Sequence, residues 1–177
     1  MIGYSEVLQT MAAMIIFSMI LMNANHMIHR NTIIQIDGEL EQEVIALGQE
    51  IIEESRAKAF DHIVDGAAMP PTVIPGGFTP AENLGPDAEN YCNAGELARY
   101  CFNDFDDYNG WEETITTEHG DFSISVEVFY VNDTNFEKIN SQSTFKKIEV
   151  TVKSEFLRSG DEPRTYKLEF IRNYYAD

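Results

Sequence analysis

The chain has 177 residues, a formal net charge of -18 and a pI near 4.4. That length holds one long helix and one modest domain of roughly 100–120 residues. The charge argues against non-specific nucleic-acid binding, because a duplex is itself a dense line of negative charge, and against docking on anionic lipid heads. The acidity is spread along the chain rather than gathered in a tail, which suits a soluble exterior that resists association.

A charge-free apolar segment runs from Val7 to His29, and its first part, Val7 to Asn25, reads VLQTMAAMIIFSMILMNAN. As a helix that part spans about 28 Å, close to the hydrocarbon thickness of a bilayer. Gln9, Thr10 and Ser18 interrupt it, and Met11, Met14, Met19 and Met22 give it a side chain that adapts to several packing environments. The pattern fits a helix stable first in lipid and then among other helices; a plain membrane anchor is the alternative. A signal peptide is disfavoured, since there is no basic leader region and no small-residue cleavage site before the next helix. His26 and His29 read as a lipid-to-water boundary rather than metal ligands. No Lys or Arg precedes the segment, while Arg30 follows it. Taken literally this places the C-terminal part in the cytoplasm. The acidic head and the cysteine pair point outward, and removal of a basic leader before Met1 would reconcile the two. A mature, processed chain is therefore expected.

From Ile33 the pattern becomes amphipathic. Ile33, Ile36, Leu40, Val44, Leu47 and Ile51 recur at spacings of three and four, with Asp37, Glu39, Glu41, Glu43, Glu50, Glu53 and Glu54 opposite. Gly38 and Gly48 cost about 1 kcal/mol each against alanine, and permit close approach or local melting. One helix from about Tyr4 to His62 is predicted, with residues 1–62 as a helical segment and 63–177 as the head.

The segment Asp65 to Asp87, rich in proline and carrying Gly76-Gly77, reads as a loop. A short helix is predicted over Ala94 to Phe102. Cys92 and Cys101 are the two cysteines, close together in a loop-like stretch, and read as a disulfide in an oxidising compartment, with a pair of free thiols as the alternative. A zinc site is not expected, since His119 is not at ligand spacing.

Asn103 to Trp111 reads NDFDDYNGW, a turn-rich acidic segment. Asp104, Asp106 and Asp107 lack the further oxygen ligands of an EF-hand, so a solvated acidic turn is expected rather than a calcium loop. Period-two alternation then marks three strands: Phe122 to Tyr130, Lys147 to Lys153, and Tyr166 to Phe170, with a weaker one at Glu113 to Glu118. Consecutive strands argue for an antiparallel meander whose apolar face is covered by the preceding helix. The fold class is α+β: a long N-terminal α-helix packed on a small antiparallel β-meander head. No phosphate loop, nucleophile motif or paired catalytic carboxylates stand out, so neither an enzyme nor a cofactor is expected.

The apolar-then-amphipathic helix, the intervening loop, the paired cysteines, the run Asp104 to Trp111 and the strand Lys146-Lys-Ile-Glu-Val-Thr-Val152 together resemble the type IV pilin and type II secretion pseudopilin superfamily over nearly the whole chain. That resemblance implies a leader peptidase, a methylated N-terminus and a filament core of packed helices. It assigns assembly roles to Met1, as the processed terminus, and to Glu6, whose carboxylate would pair with the terminal amine of a neighbour; in that family the glutamate is fifth, and Glu6 is sixth counted from Met1, fifth from Ile2 and third if cleavage follows Gly3. The implied partners are further copies of the chain in a helical homopolymer, and the inner membrane and assembly machinery beforehand. The implied location is an extracellular filament, with no nucleic acid and no small-molecule substrate. A major pilus subunit, a minor pseudopilin and a membrane-anchored binding module that never polymerises are the three functional expectations.

Overall fold

The computed structural model describes residues 3–66, 71–87, 91–92, 96–159 and 162–176. A single helix, α1 (Tyr4–Arg56), opens the chain. The chain divides into two compact units, Met1–Glu41 and Gln42–Asp177, so the last turns of α1 belong to the head.

The first unit is helical from Tyr4 onward. Its hydroxyls turn back on its own backbone: Thr10 Oγ1 donates to the Val7 carbonyl at 2.8 Å, Ser18 Oγ to Met14 at 2.8 Å and Thr32 Oγ1 to Ile28 at 3.0 Å. A hydroxyl satisfied in this way can face an apolar surrounding without an unmatched donor.

The second unit is built on strands β1 (Tyr91–Cys92), β2 (Glu96–Leu97), β3 (Glu112–Thr117), β4 (Gly120–Tyr130), β5 (Phe145–Ser159) and β6 (Glu162–Asn173). β1 and β2 pair with each other, and β3-β4-β5-β6 form an antiparallel meander in chain order. The three alternating segments are strands, and the weaker Glu113 segment is the edge strand β3. The β3–β4 turn closes at Gly120, whose φ of +120° suits glycine. Phe122, Ile124, Val126 and Val128 of β4 and Ile148, Val150 and Val152 of β5 are buried. Tyr166, Leu168 and Phe170 are only half-buried, because β6 is the other edge of the sheet.

Within this unit the end of α1 buries Val44, Ile51, Ile52 and Ser55. A Cβ added at Gly48 would come within 2.9 Å of Leu168 Cδ1 on β6, so the missing side chain allows close approach of helix and sheet. Arg56 lies over the Phe170 ring at 4.9 Å, and His119 Nδ1 meets Glu43 Oε2 at 2.7 Å. A second cluster, Phe60, Phe78, Leu84 and Tyr130, gives the proline-rich loop its own core, with Phe60, Phe78 and Tyr174 in mutual ring contact at 5.1–5.4 Å.

Three expectations are corrected. α1 ends at Arg56 rather than near His62. Its end is capped by Arg172 of β6, whose Nη1 donates to the Lys58 and Ala59 carbonyls at 2.8 and 3.1 Å and reaches the Ser55 carbonyl at 3.4 Å. The negative end of a helix dipole favours a cation at this place. Over Ala94 to Phe102 the described residues form no α-helix: Glu96–Leu97 pairs as β2, and Arg99–Cys101 is a 3-10 turn. The acidic segment, expected to be a solvated turn, is buried, for reasons given next.

Candidate functional site: an uncovered apolar helix and a charged core

In the first unit the large apolar side chains face outward. Leu8, Met14, Ile15, Ile16, Phe17, Met19, Ile20, Leu21, Met22, Met27 and Ile28 are all more than half exposed. The helix is long and apolar enough to cross a membrane. Exposure continues past Arg30, with Ile33 at 59%, Ile34 at 66% and Ile36 at 47%.

Met1 lies outside the described residues. Glu6 is exposed, and its Oε2 accepts the Gly3 N–H at 3.3 Å while its own N–H donates to the Gly3 carbonyl at 3.0 Å. This reciprocal pairing resembles a capping box, with a carboxylate at the positive end of the helix. Cys101 is disulfide-bonded; the side chain of Cys92 lies outside those described.

The head contains a charged core whose lysine shares the buried parity of β5 but whose carboxyls no local pattern reveals. After α1 the chain runs beside the acidic segment, with the Ala59 N–H donating to the Asn103 carbonyl at 3.2 Å and the Phe105 N–H to the Ala59 carbonyl at 2.9 Å. This pairing carries Asp61 and the acidic turn inward together. Asp61, Asp104, Asp106, Asp107 and Lys146 are all buried to within a few per cent. Lys146 projects from β5 and donates to the Phe60 carbonyl at 2.8 Å, to Asp61 Oδ2 at 2.9 Å and to Asp106 Oδ1. Its ammonium lies 4.7 Å from the Phe60 ring centroid and 5.4 Å from that of Tyr130.

The four carboxyl groups differ in what holds them. Asp61 accepts from Thr79 N and Thr79 Oγ1 at 3.0 Å and from Ile63 N at 3.3 Å. Burial opposes its ionisation, but Lys146 and these donors outweigh burial and hold its pKa below the usual carboxylate range. Tyr130 Oη reaches both Asp61 and the Thr79 carbonyl. Asp107 Oδ2 accepts the Asn103 and Asp104 amides at 2.8 and 3.0 Å, and Asp104 Oδ1 accepts those of Asp106 and Asp107 at 2.8 and 3.1 Å. Burial, with the Asp106 and Asp107 charges, pushes Asp104 up to about 8. Burial also raises Asp106, against the pull of Lys146. The acidic triplet is a set of carboxyls spent on backbone amides and on one lysine.

Among the described residues, His62, Asp87 and Asp104 bring ligand atoms within 4.8 Å of one another. His62 Nδ1 and Asp87 Oδ2 are 3.6 Å apart, and Asn103 Nδ2 lies 3.3 Å from the same ring nitrogen. A cation bound at about 2.1 Å would need these atoms to draw closer. This set differs from Asp104, Asp106 and Asp107, because Lys146 occupies Asp106. Comparisons of the chain with family profiles, with curated proteins and with solved structures find no match.

Proposed function

We propose that this chain is a structural subunit of an extracellular type IV pilus-like filament, assembled by packing of N-terminal helices, with the heads outside. The observation that carries this reading is the length of the uncovered apolar surface. From Val7 to Ile36 the helix extends about 45 Å, against a hydrocarbon core of about 30 Å. A bilayer can cover the first part, but Ile33, Ile34 and Ile36 lie beyond Arg30 and remain exposed. Neighbouring copies of the same helix would cover both parts. The satisfied hydroxyls of Thr10, Ser18 and Thr32 support a helix that passes from lipid to a protein core. In the filament Glu6 exchanges its Gly3 partner for the terminal amine of a neighbour, since a carboxylate buried among helices needs a counter-charge. Adhesion, motility and surface attachment are the roles such a filament serves.

A membrane-anchored binding module that does not polymerise is the second reading, favoured by the Glu6 carboxylate being paired within its own chain. Electron microscopy of sheared cell-surface material, with mass spectrometry of the N-terminal peptide, separates the two. Thin filaments containing this chain with a processed, methylated terminus support the first. Recovery only in detergent-extracted membranes, with no filaments, supports the second. A minor pseudopilin would appear in filaments without dominating them.

A further inference from the structure

Lys146 and Asp106 have the arrangement of a condensation partnership. The amine and the carboxyl are in hydrogen-bond contact, Lys146 is 0% and Asp106 2% exposed, and the Phe60 and Tyr130 rings close over the amine. A second buried carboxyl, Asp104, is hydrogen-bonded to that of Asp106. We propose that Lys146 Nζ and Asp106 Cγ condense spontaneously to an intramolecular isopeptide bond, with Asp104 as the catalytic acid.

The fold supplies what the reaction lacks in water. Two reactants held in contact by the scaffold behave as though present at about 10⁵–10⁸ M. A buried ion pair keeps a desolvation cost that a neutral amide does not, so condensation removes two charges from the core. Asp61 is not the electrophile. Thr79 and Ile63 donate to it, it stays ionised, and an ionised carboxylate resists attack by an amine. Asp106 has no such backbone donors among its described bonds, and burial raises its pKa, so Lys146 can pass it a proton along their contact and leave a free amine beside a neutral carboxyl. Burial and the neighbouring aspartates push Asp104 up to about 8, so a carboxyl able to give a proton near neutral pH lies beside the reacting one.

The bookkeeping closes without an oxidant or co-reactant. The Nζ–Cγ bond forms and one Cγ–O bond of Asp106 breaks. Starting from the ion pair, the Lys146 ammonium passes one proton to Asp106 and so frees its lone pair, and the nitrogen gives up a second on attack; both protons leave with the departing oxygen as one water. Asp104 lends a proton to that oxygen and recovers one from the nitrogen. Asp61 and the Phe60 carbonyl orient the amine before it attacks.

The inference does not depend on the filament reading and is tested on the full chain. After the disulfide is reduced, the denatured protein is digested and its peptides weighed. The expected result is one branched species joining the peptide of Asp106 to that of Lys146, lighter than their sum by one water, with no cleavage after Lys146. Separate peptides of full mass overturn the proposal. Asp104→Asn is expected to abolish the branched species; if it forms at the wild-type yield, the role given to Asp104 is wrong.

Discussion

Arg172 is buried, and its guanidinium serves the carbonyls that follow α1 while lying 5.5 Å from the Phe105 ring centroid. Removing it takes a charged donor from the Lys58 and Ala59 carbonyls, of which Ala59 keeps the Phe105 N–H, and empties the space the guanidinium fills. Arg172→Ala is therefore expected to cost about 3 kcal/mol, read as a lower denaturant midpoint in the isolated chain. Tyr130 Oη donates to the Thr79 carbonyl at 2.8 Å and reaches Asp61 at 3.3 Å, so Tyr130→Phe should cost about 1–2 kcal/mol with little change in packing. On the sheet, Glu149 of β5 is held by Lys147 of its own strand and by Lys167 of β6. Burial raises the Glu149 pKa, but the two lysines outweigh it and the net shift is downward from 4.5. Its stabilising contribution is present above its unfolded value and is lost as pH falls through the lowered one. Glu149→Gln should thus destabilise by about 1 kcal/mol at neutral pH and match the parent in acid, as pH-dependent unfolding curves would show.

The two glycines of α1 make a controlled comparison at the scale of the element. Around Gly38 an added Cβ meets nothing within 4 Å, whereas at Gly48 it meets Leu168. Gly38→Ala should stabilise the helix by about 1 kcal/mol, while Gly48→Ala should lose that gain to the clash. Pairing Gly48→Ala with Leu168→Ala should recover part of the loss. Thermal unfolding of the three variants checks the difference. The elements themselves were largely legible in the sequence, because period-two alternation at Phe122–Tyr130 and Lys147–Lys153 reflects one buried face. What was not legible depends on contacts distant in sequence. α1 stops at Arg56, where a residue more than a hundred positions later meets the Ser55 carbonyl and those of the chain beyond. The acidic turn is buried because the chain at Ala59 and Lys146 on β5 meet it there. A local reading of three aspartates sees only their charge. Lys146 shares the parity of Ile148, Val150 and Val152, so the alternation places it on the buried face, but the carboxyls that meet it there are distant in sequence.

At the scale of the whole molecule, the chain pairs a head that buries its own core with a helical segment that leaves its apolar residues outside. The head's buried carboxyls draw hydrogen bonds from within the head, while the isoleucines and methionines of the first unit are exposed. The central claim is that copies of the same helix cover them. The most direct measurement places a photo-activated cross-linking amino acid at Ile34, beyond the reach of a membrane-spanning segment, in cells producing the full chain. Irradiation of the sheared surface fraction should give a ladder of covalent oligomers whose cross-linked peptides map to Val7–Ile36 of a neighbouring copy. Monomers alone, or adducts confined to lipid and unrelated proteins, would contradict the claim.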